Sequence, residues 1–165
     1  MDTIECIRSR RSVRNYTNQS VEQSLIRKLL ENAIWAPSGK NGQPWKFKVI
    51  TNKDLIDRIS NLSTHSRWMR NAPCFIFVFL DKDRSYDYIK DIQSCGAVIQ
   101  TLLLCAQSYG ISSCWVGEIL SESEAVMNIL GLLDYNIELM ALVTLGYCVK
   151  NVAKATRKII DEFIL

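Results

Sequence analysis

The sequence predicts an α+β fold, and three observations carry that reading. Phe75-Ile76-Phe77-Val78-Phe79-Leu80 is continuously apolar, rich in aromatic and β-branched residues, and bounded by Pro73 and Asp81. That is the pattern of a central strand covered on both faces. Tyr86 to Tyr109 reads as one long helix stopped by Gly110 as a C′ cap. Helical and strand segments then follow one another without strict βαβ alternation, which favours α+β over a doubly wound parallel sheet.

The remaining elements follow in order. Asp2 to Ser9 reads as a short amphipathic segment leading into Arg8, Arg10, Arg11 and Arg14. Ser20-Val21-Glu22-Gln23 has the form of a capping box. It predicts a helix whose face carries Val21, Leu25, Leu29 and Ala33 with Ile26, Leu30 and Ile34, and which stops near Trp35-Ala36 because Pro37 disfavours α geometry before it. Trp45, Phe47 and Val49 alternate with Lys46 and Lys48, as in a half-buried strand. Asn52 to Leu62 reads as a helix with Leu55, Ile56 and Ile59 inward. The second half of the long helix, Ala97 to Ala106, is apolar nearly all round. Such a helix is expected to be buried on every side, and one of those sides can belong to a second subunit. Cys114-Trp115-Val116 reads as a short strand. Ser121-Glu122-Ser123-Glu124 is a second capping box, opening a helix to about Gly131. Leu139 to Leu145 reads as another buried strand. Arg157 to Leu165 carries Ile159, Ile160, Phe163, Ile164 and Leu165, an apolar tail that needs a surface to pack on, such as a partner chain.

Composition bounds the class. The chain has 165 residues, 48% apolar and 22% charged, with 20 basic against 17 acidic side chains and a net charge of +3. That is enough chain for one sizeable core, so a single domain over residues 1–165 is expected. A main state of disorder is excluded. The basic residues are mostly interleaved with acidic ones, which makes a poor footprint for a nucleic-acid duplex. No stretch approaches the length of a membrane span. The start, Met1-Asp2-Thr3-Ile4-Glu5-Cys6, shows no secretory signal, so a cytoplasmic location is expected and the six cysteines read as reduced thiols. Cys74, Cys95, Cys105, Cys114 and Cys148 lie in apolar surroundings and read as small core residues.

Much conventional chemistry is missing. The seven glycines form neither G-x-G-x-x-G nor a P-loop. One histidine and no C-x-x-C leave no standard zinc site, so no metal is expected. His65 lies in the polar run Thr64-His65-Ser66-Arg67 and reads as a surface or loop residue rather than a catalytic base.

Two segments are harder to explain as scaffold. In Arg10-Arg11-Ser12-Val13-Arg14, the forks of Arg10 and Arg14 with a hydroxyl suit a phosphate monoester, although a solvated basic surface would look the same. In Ala36-Pro37-Ser38-Gly39-Lys40-Asn41-Gly42-Gln43-Pro44-Trp45, two prolines stiffen a polar loop that offers amides, a hydroxyl and two carboxamides. Such groups suit a flat heterocycle with imide and carbonyl edges, or the loop is only a turn.

Together these segments resemble the nitroreductase family of FMN-dependent enzymes. Arg10-Arg11-Ser12-Val13-Arg14-Asn15-Tyr16 matches the family pattern R-R-S-x-R-x-[YF], and Ala36 to Trp45 matches A-P-S-[GS]-x-N-x-Q-P-W, continued by Phe47-Lys48-Val49-Ile50. Gly110 to Gly117 resembles G-[LI]-x-[ST]-C-W-[IV]-G, and Leu145-Gly146-Tyr147 with Arg157-Lys158 resembles a G-Y-P…R-K ending in which Cys148 replaces the proline. The resemblance implies a sandwich with a central mixed or antiparallel sheet flanked by helices. It also implies a long buried central helix and a homodimer with exchanged terminal segments.

By the same resemblance, Arg10, Ser12 and Arg14 would hold the FMN phosphate and ribityl chain, with Arg11 near them and Arg157 adding charge. Pro37, Ser38, Gly39 and Asn41 would contact the flavin from the other subunit, and Trp115, Val116 and Gly117 would line the ring. Arg67, Arg70 or Lys154 could supply a cation near flavin N1. The short segment between Leu62 and Pro73 leaves no room for a large substrate cap, so an open pocket is expected. The implied activity is NADH- or NADPH-dependent reduction of a nitroaromatic, a quinone or a similar small electron acceptor by ping-pong hydride transfer, with the chemistry on the flavin and no catalytic side chain. The alternative is a flavin carrier or sensor with little nicotinamide oxidase activity.

Overall fold

The computed structural model describes residues 2–149 and 155–165. Ten regular elements build a three-layer α+β sandwich: α1 (Thr3–Ser9), α2 (Gln23–Ala33), β1 (Trp45–Ile50), α3 (Lys53–Ser60), α4 (Ser66–Met69), β2 (Cys74–Asp81), α5 (Tyr88–Ser108), β3 (Ser112–Val116), α6 (Ser123–Leu130) and β4 (Ile137–Gly146). The strands pair antiparallel in the order β1-β2-β4-β3. A single parallel bridge, Ser12 to Ser113, joins the arginine segment to the outer side of β3.

β2 behaves as its composition predicts, with every residue buried. Its alternation divides the core. Cys74, Ile76, Val78 and Leu80 face α2 and α5, whereas Phe75, Phe77 and Phe79 face the layer of α3, α4 and α6. Trp45, Phe47 and Val49 of β1 join the first of these cores, while Lys46 and Lys48 stay exposed. Among the described residues no helix is long and apolar enough to cross a membrane.

Both capping boxes fail, for different reasons. α2 begins at Gln23 with Glu22 at the N-cap position and no side-chain cap bond. Burial of Val21 in the core keeps the chain extended past Ser20, so tertiary packing overrides the local signal. Ahead of α6, residues Glu118–Glu122 form a 3₁₀ turn, and the Ser121 hydroxyl donates to the Glu118 carbonyl instead of capping. α5 starts at Tyr88, two residues later than predicted, where Asp87 accepts from the Lys90 amide at 3.1 Å. It ends at Ser108, followed by Gly110 at φ 72°.

Within one chain α5 is buried along one stripe, Asp91, Ser94, Cys95, Val98, Ile99, Leu102, Leu103 and Ala106, rather than all round. Tyr88, Ile89, Ile92 and Gln100 stay exposed on the other side. The tail is equally bare: Ile159, Ile160, Phe163 and Ile164 are each about two-thirds exposed. No disulfide links the cysteines among the described residues. Burial pushes Cys74 and Cys95 up to about 12, so they pack as small apolar groups.

Gly146 closes β4 where two other segments converge. A Cβ there would lie 2.7 Å from Pro73 Cδ and 2.7 Å from Tyr16 Cδ1. The proline ring cannot yield and the Tyr16 ring is itself buried, so Gly146→Ala forces the arginine segment away from the sheet. Urea denaturation should show a loss of about 1–3 kcal/mol for this variant; unchanged stability would show that the contact yields freely.

Candidate functional site

The arginine segment has no regular structure of its own and is held from below. Tyr16 is buried, and its hydroxyl donates to the Val13 carbonyl at 2.8 Å and lies 2.7 Å from Thr144 Oγ1 in β4. Burial raises its pKa well above the ordinary phenol value, so it remains a protonated donor. Val13 adds an amide bond to the Ser113 carbonyl at 2.9 Å. The chain leaving β4 pairs with the same segment: Thr17 donates to the Tyr147 carbonyl and Val149 to the Asn15 carbonyl. Both bonds use neighbours of Cys148 and neither needs its own amide, which explains how cysteine stands where the family pattern has proline.

With Val13 and Tyr16 turned inward, Ser12 and Arg14 face outward and Arg10 is half-buried. Arg11 does more than lie nearby. Its Nη1 donates to the Arg8 and Arg10 carbonyls at 2.6 and 2.7 Å, binding the carbonyl end of α1. Arg10, Arg11 and Arg157 line one cavity of about 350 Å³, closed by Ile7, Arg8, Gln100 and Ala155. Among the described residues its lining holds four guanidiniums and no carboxylate, which makes this cavity strongly anion-seeking. Ser12, the next residue along the chain from Arg11, is within hydrogen-bonding reach of the Cys114 thiol.

A second, smaller cavity of about 60 Å³ lies by β3, lined by Arg14, His65, Trp68, Cys114, Trp115, Val116, Gly117 and Glu118. Trp115 is 40% exposed, whereas the Val116 side chain is buried in the core. A ring against this wall therefore meets the indole of Trp115 and, at Val116, the backbone only. His65 is exposed, as its sequence context suggests, yet it forms part of this wall. Neither Arg67 nor Arg70 lines it. Arg70 instead bonds Asn61 and borders a cleft of about 610 Å³ with Lys53 and Asn71. Lys154 lies outside the described residues. The cation that the structure places here is Arg14.

Sequence reasoning missed Glu118. Its carboxylate accepts from Ser63 Oγ at 2.6 Å, from the Thr64 amide at 3.1 Å and from Thr64 Oγ1 at 3.0 Å. It thereby pins the turn before α4 against the end of β3. The partners lie more than fifty positions apart, so no local pattern could announce them.

The proline-flanked loop is built from strain. Lys40, Asn41 and Gln43 have φ of 52°, 54° and 48°, and they are the only non-glycine residues with positive φ among those described. Such clustering marks functional segments. Ser38 Oγ accepts from the Gln43 amide at 3.0 Å and closes the loop, while Pro37 and Asn41 remain exposed. Gly39 lies under Tyr86; a Cβ there would come within 2.7 Å of the ring carbons. Tyr86 is held in turn by its amide bond to the buried Asp91 carboxylate at 2.9 Å, and Lys40 Nζ sits 4.7 Å above its ring.

Within one chain the two sequence motifs do not meet. The loop packs by the amino-terminal end of α5, near Tyr86 and Cys95. The arginine segment packs by the carboxyl-terminal half, where Gln107 donates to Ser9 and Cys6 to the Leu104 carbonyl. A helix of 21 residues spans about 30 Å.

The sequence profile described as the Nitroreductase family matches residues 7–65 and 62–147. A protein of Archaeoglobus fulgidus, provisionally named NADH dehydrogenase/NAD(P)H nitroreductase, is 34% identical over 149 residues, covering 88% of this chain and 85% of that protein. A Bacillus subtilis protein named FMN reductase [NAD(P)H] is 24% identical, covering 94% of this chain and 70% of its own. The crystal structure of a provisionally named nitroreductase from Desulfovibrio desulfuricans, in complex with FMN, superposes with a TM-score of 0.93 at 33% identity, covering 100% of this chain and 96% of that one.

The Glu118 clamp carries a pH dependence. The Ser63 hydroxyl, with the Thr64 amide and hydroxyl, holds its carboxyl below the usual glutamate range. The contribution is fully present above the ordinary glutamate value and fades as pH falls through the lowered one. Acidification should loosen residues 63–65, seen as faster amide exchange there. Glu118→Ala should show that faster exchange already at neutral pH; if both proteins exchange alike, the clamp contributes nothing.

Proposed function

The chain belongs to the nitroreductase family, and from that premise we propose that it is an FMN-dependent oxidoreductase drawing electrons from NADH or NADPH. The observation that carries this reading is the cavity in which Arg8, Arg10, Arg11 and Arg157 converge. The donor set fits the group. Guanidinium forks and a hydroxyl match a phosphate dianion, and the wall by β3 offers an indole and backbone to a flat ring.

The chemistry supplied by bound FMN is acceptance of a hydride from the nicotinamide and its delivery to an acceptor such as a nitroaromatic or a quinone, in ping-pong alternation. The protein binds and orients. Arg10, Arg11 and Arg157 would hold the phosphate, and the Ser12 hydroxyl would donate to it or to the ribityl chain. With FMN bound, Arg14 and the amides at Val116 and Gly117 would stabilise negative charge on the ring system. Trp115 limits the water that reaches one edge. No side-chain nucleophile is required.

We also propose a homodimer in which the Pro37, Ser38, Gly39 and Asn41 loop borders the partner's flavin. Pairing α5 with a two-fold related copy of itself sets the amino-terminal end of one helix beside the carboxyl-terminal half of the other. That arrangement brings each loop to the other chain's arginine segment. It also covers the exposed stripe of Tyr88, Ile89 and Ile92, and the same contact offers the tails from Arg157 onward an apolar surface to exchange onto.

Purified protein should be yellow, with about one FMN per chain, and should bleach when mixed anaerobically with NADH or NADPH. Flavin that binds but does not bleach points to a carrier or sensor; protein that stays colourless in excess FMN overturns the reading. Arg14→Ala should weaken FMN binding by about 1.5–3 kcal/mol in a fluorescence titration. In sedimentation, charges placed at Ile89 and Ile92 should yield monomers that no longer retain FMN; monomers that bind it normally would refute the shared site.

A further inference from the structure

Resting on the flavin reading above, we infer that Trp68 is a positioning residue for Arg14, holding the guanidinium by its face so that the donor fork stays open to an anionic oxygen of the cofactor. Arg14 Cζ lies 5.8 Å from the centroid of the Trp68 ring, and both side chains line the small cavity with Trp115 and Gly117. Among the described residues no carboxylate pairs with Arg14. The distinction is chemical. A carboxylate would occupy the in-plane N–H groups and neutralise the charge, as Glu31 does for Arg27. An aromatic face attracts the cation through its quadrupole and leaves the edge donors available.

Trp68 is itself fixed. It is packed against the core of Phe75, Phe77 and Phe79, and the His65 ring sits 5.9 Å from it at a tilt of 37°. The turn that leads into α4 is tied down by the three bonds from Ser63 and Thr64 to Glu118. The support therefore runs from the end of β3, through Glu118 and α4, to the indole and then to Arg14. A flexible exposed arginine would lose rotamer entropy on gripping an anion; one already laid on a fixed ring loses less.

The test is a double-mutant cycle on the full-length protein, read by FMN fluorescence titration after flavin removal, with Trp68→Leu, Arg14→Ala and the pair. Trp68→Leu is expected to weaken FMN about five- to thirty-fold, and Trp68→Phe to recover most of that. In the Arg14→Ala background, Trp68→Leu should change affinity by no more than about two-fold. If Trp68→Leu is as damaging without Arg14 as with it, the indole acts only through packing and the inference fails. If it has no effect with Arg14 present, the inference fails as well. A Trp68→Leu melt matching the parent separates loss of positioning from loss of fold, and Trp68→Phe, which keeps an aromatic side chain there, gives the same separation through its recovered affinity. A parent protein that does not bind FMN defeats the flavin reading itself; a parent that binds it but gives an additive cycle defeats the positioning role alone.

Discussion

The site depends on one buried hydroxyl. Tyr16 reaches into the layer beneath β4, meets Thr144 and satisfies the carbonyl of Val13. Without that tether the arginine segment would lose its buried anchor and rest on its bridge to Ser113, the pairing with residues 147–149 and the Arg11 bonds to the end of α1. A phenol in this position is costly to bury unless its hydroxyl finds partners, and it finds two. The tether also sets which side chains turn inward. Once Val13 and Tyr16 are committed to the core, Ser12 and Arg14 must face out. The alternation that makes an anion site is thus imposed by apolar burial at neighbouring positions, and Gly146 leaves the space that Tyr16 needs.

Much of this was legible in the residues. The continuous run of β2 and the alternation of β1 report burial directly, because the faces of a strand are set by its 2.0 residue repeat, whereas the nearly all-round apolar half of α5 hides which stripe a single chain buries. Arg10, Ser12 and Arg14 drew attention as closely spaced guanidiniums and a hydroxyl that suit an anion, although a solvated basic surface reads the same, whereas Arg157 entered only through the family resemblance. The caps at Ser20 and Ser121 could not be read reliably. A cap is a local bond worth about 1 kcal/mol, and burying Val21 or satisfying the Glu118 carbonyl outweighs it. The turn that brings Trp68 and His65 to the wall was not visible either, since it depends on Glu118 finding Ser63 and Thr64 across the fold.

The separation of the two motifs is the other feature the sequence could not supply by spacing. The stretch of chain between Arg14 and Pro37 is long enough to allow contact, but α2 and the first core take it up. Both motifs instead pack along α5, one toward each end. The exposed stripe on that helix and the bare apolar tail are then related: each is a surface that a single copy leaves in water. Isolated exposed apolar side chains are ordinary, but a contiguous set is not.

The left-handed residues of the 38–43 loop have a further consequence. Lys40, Asn41 and Gln43 carry side chains in a conformation that unbonded chains seldom visit, and Gly39 is pressed under Tyr86. Folding has therefore already shaped this segment, long before any ligand arrives. A guest that docks against it has little organising of its host to do, so its affinity is governed mainly by the surface it covers and the water it releases rather than by the freezing of a wandering strand.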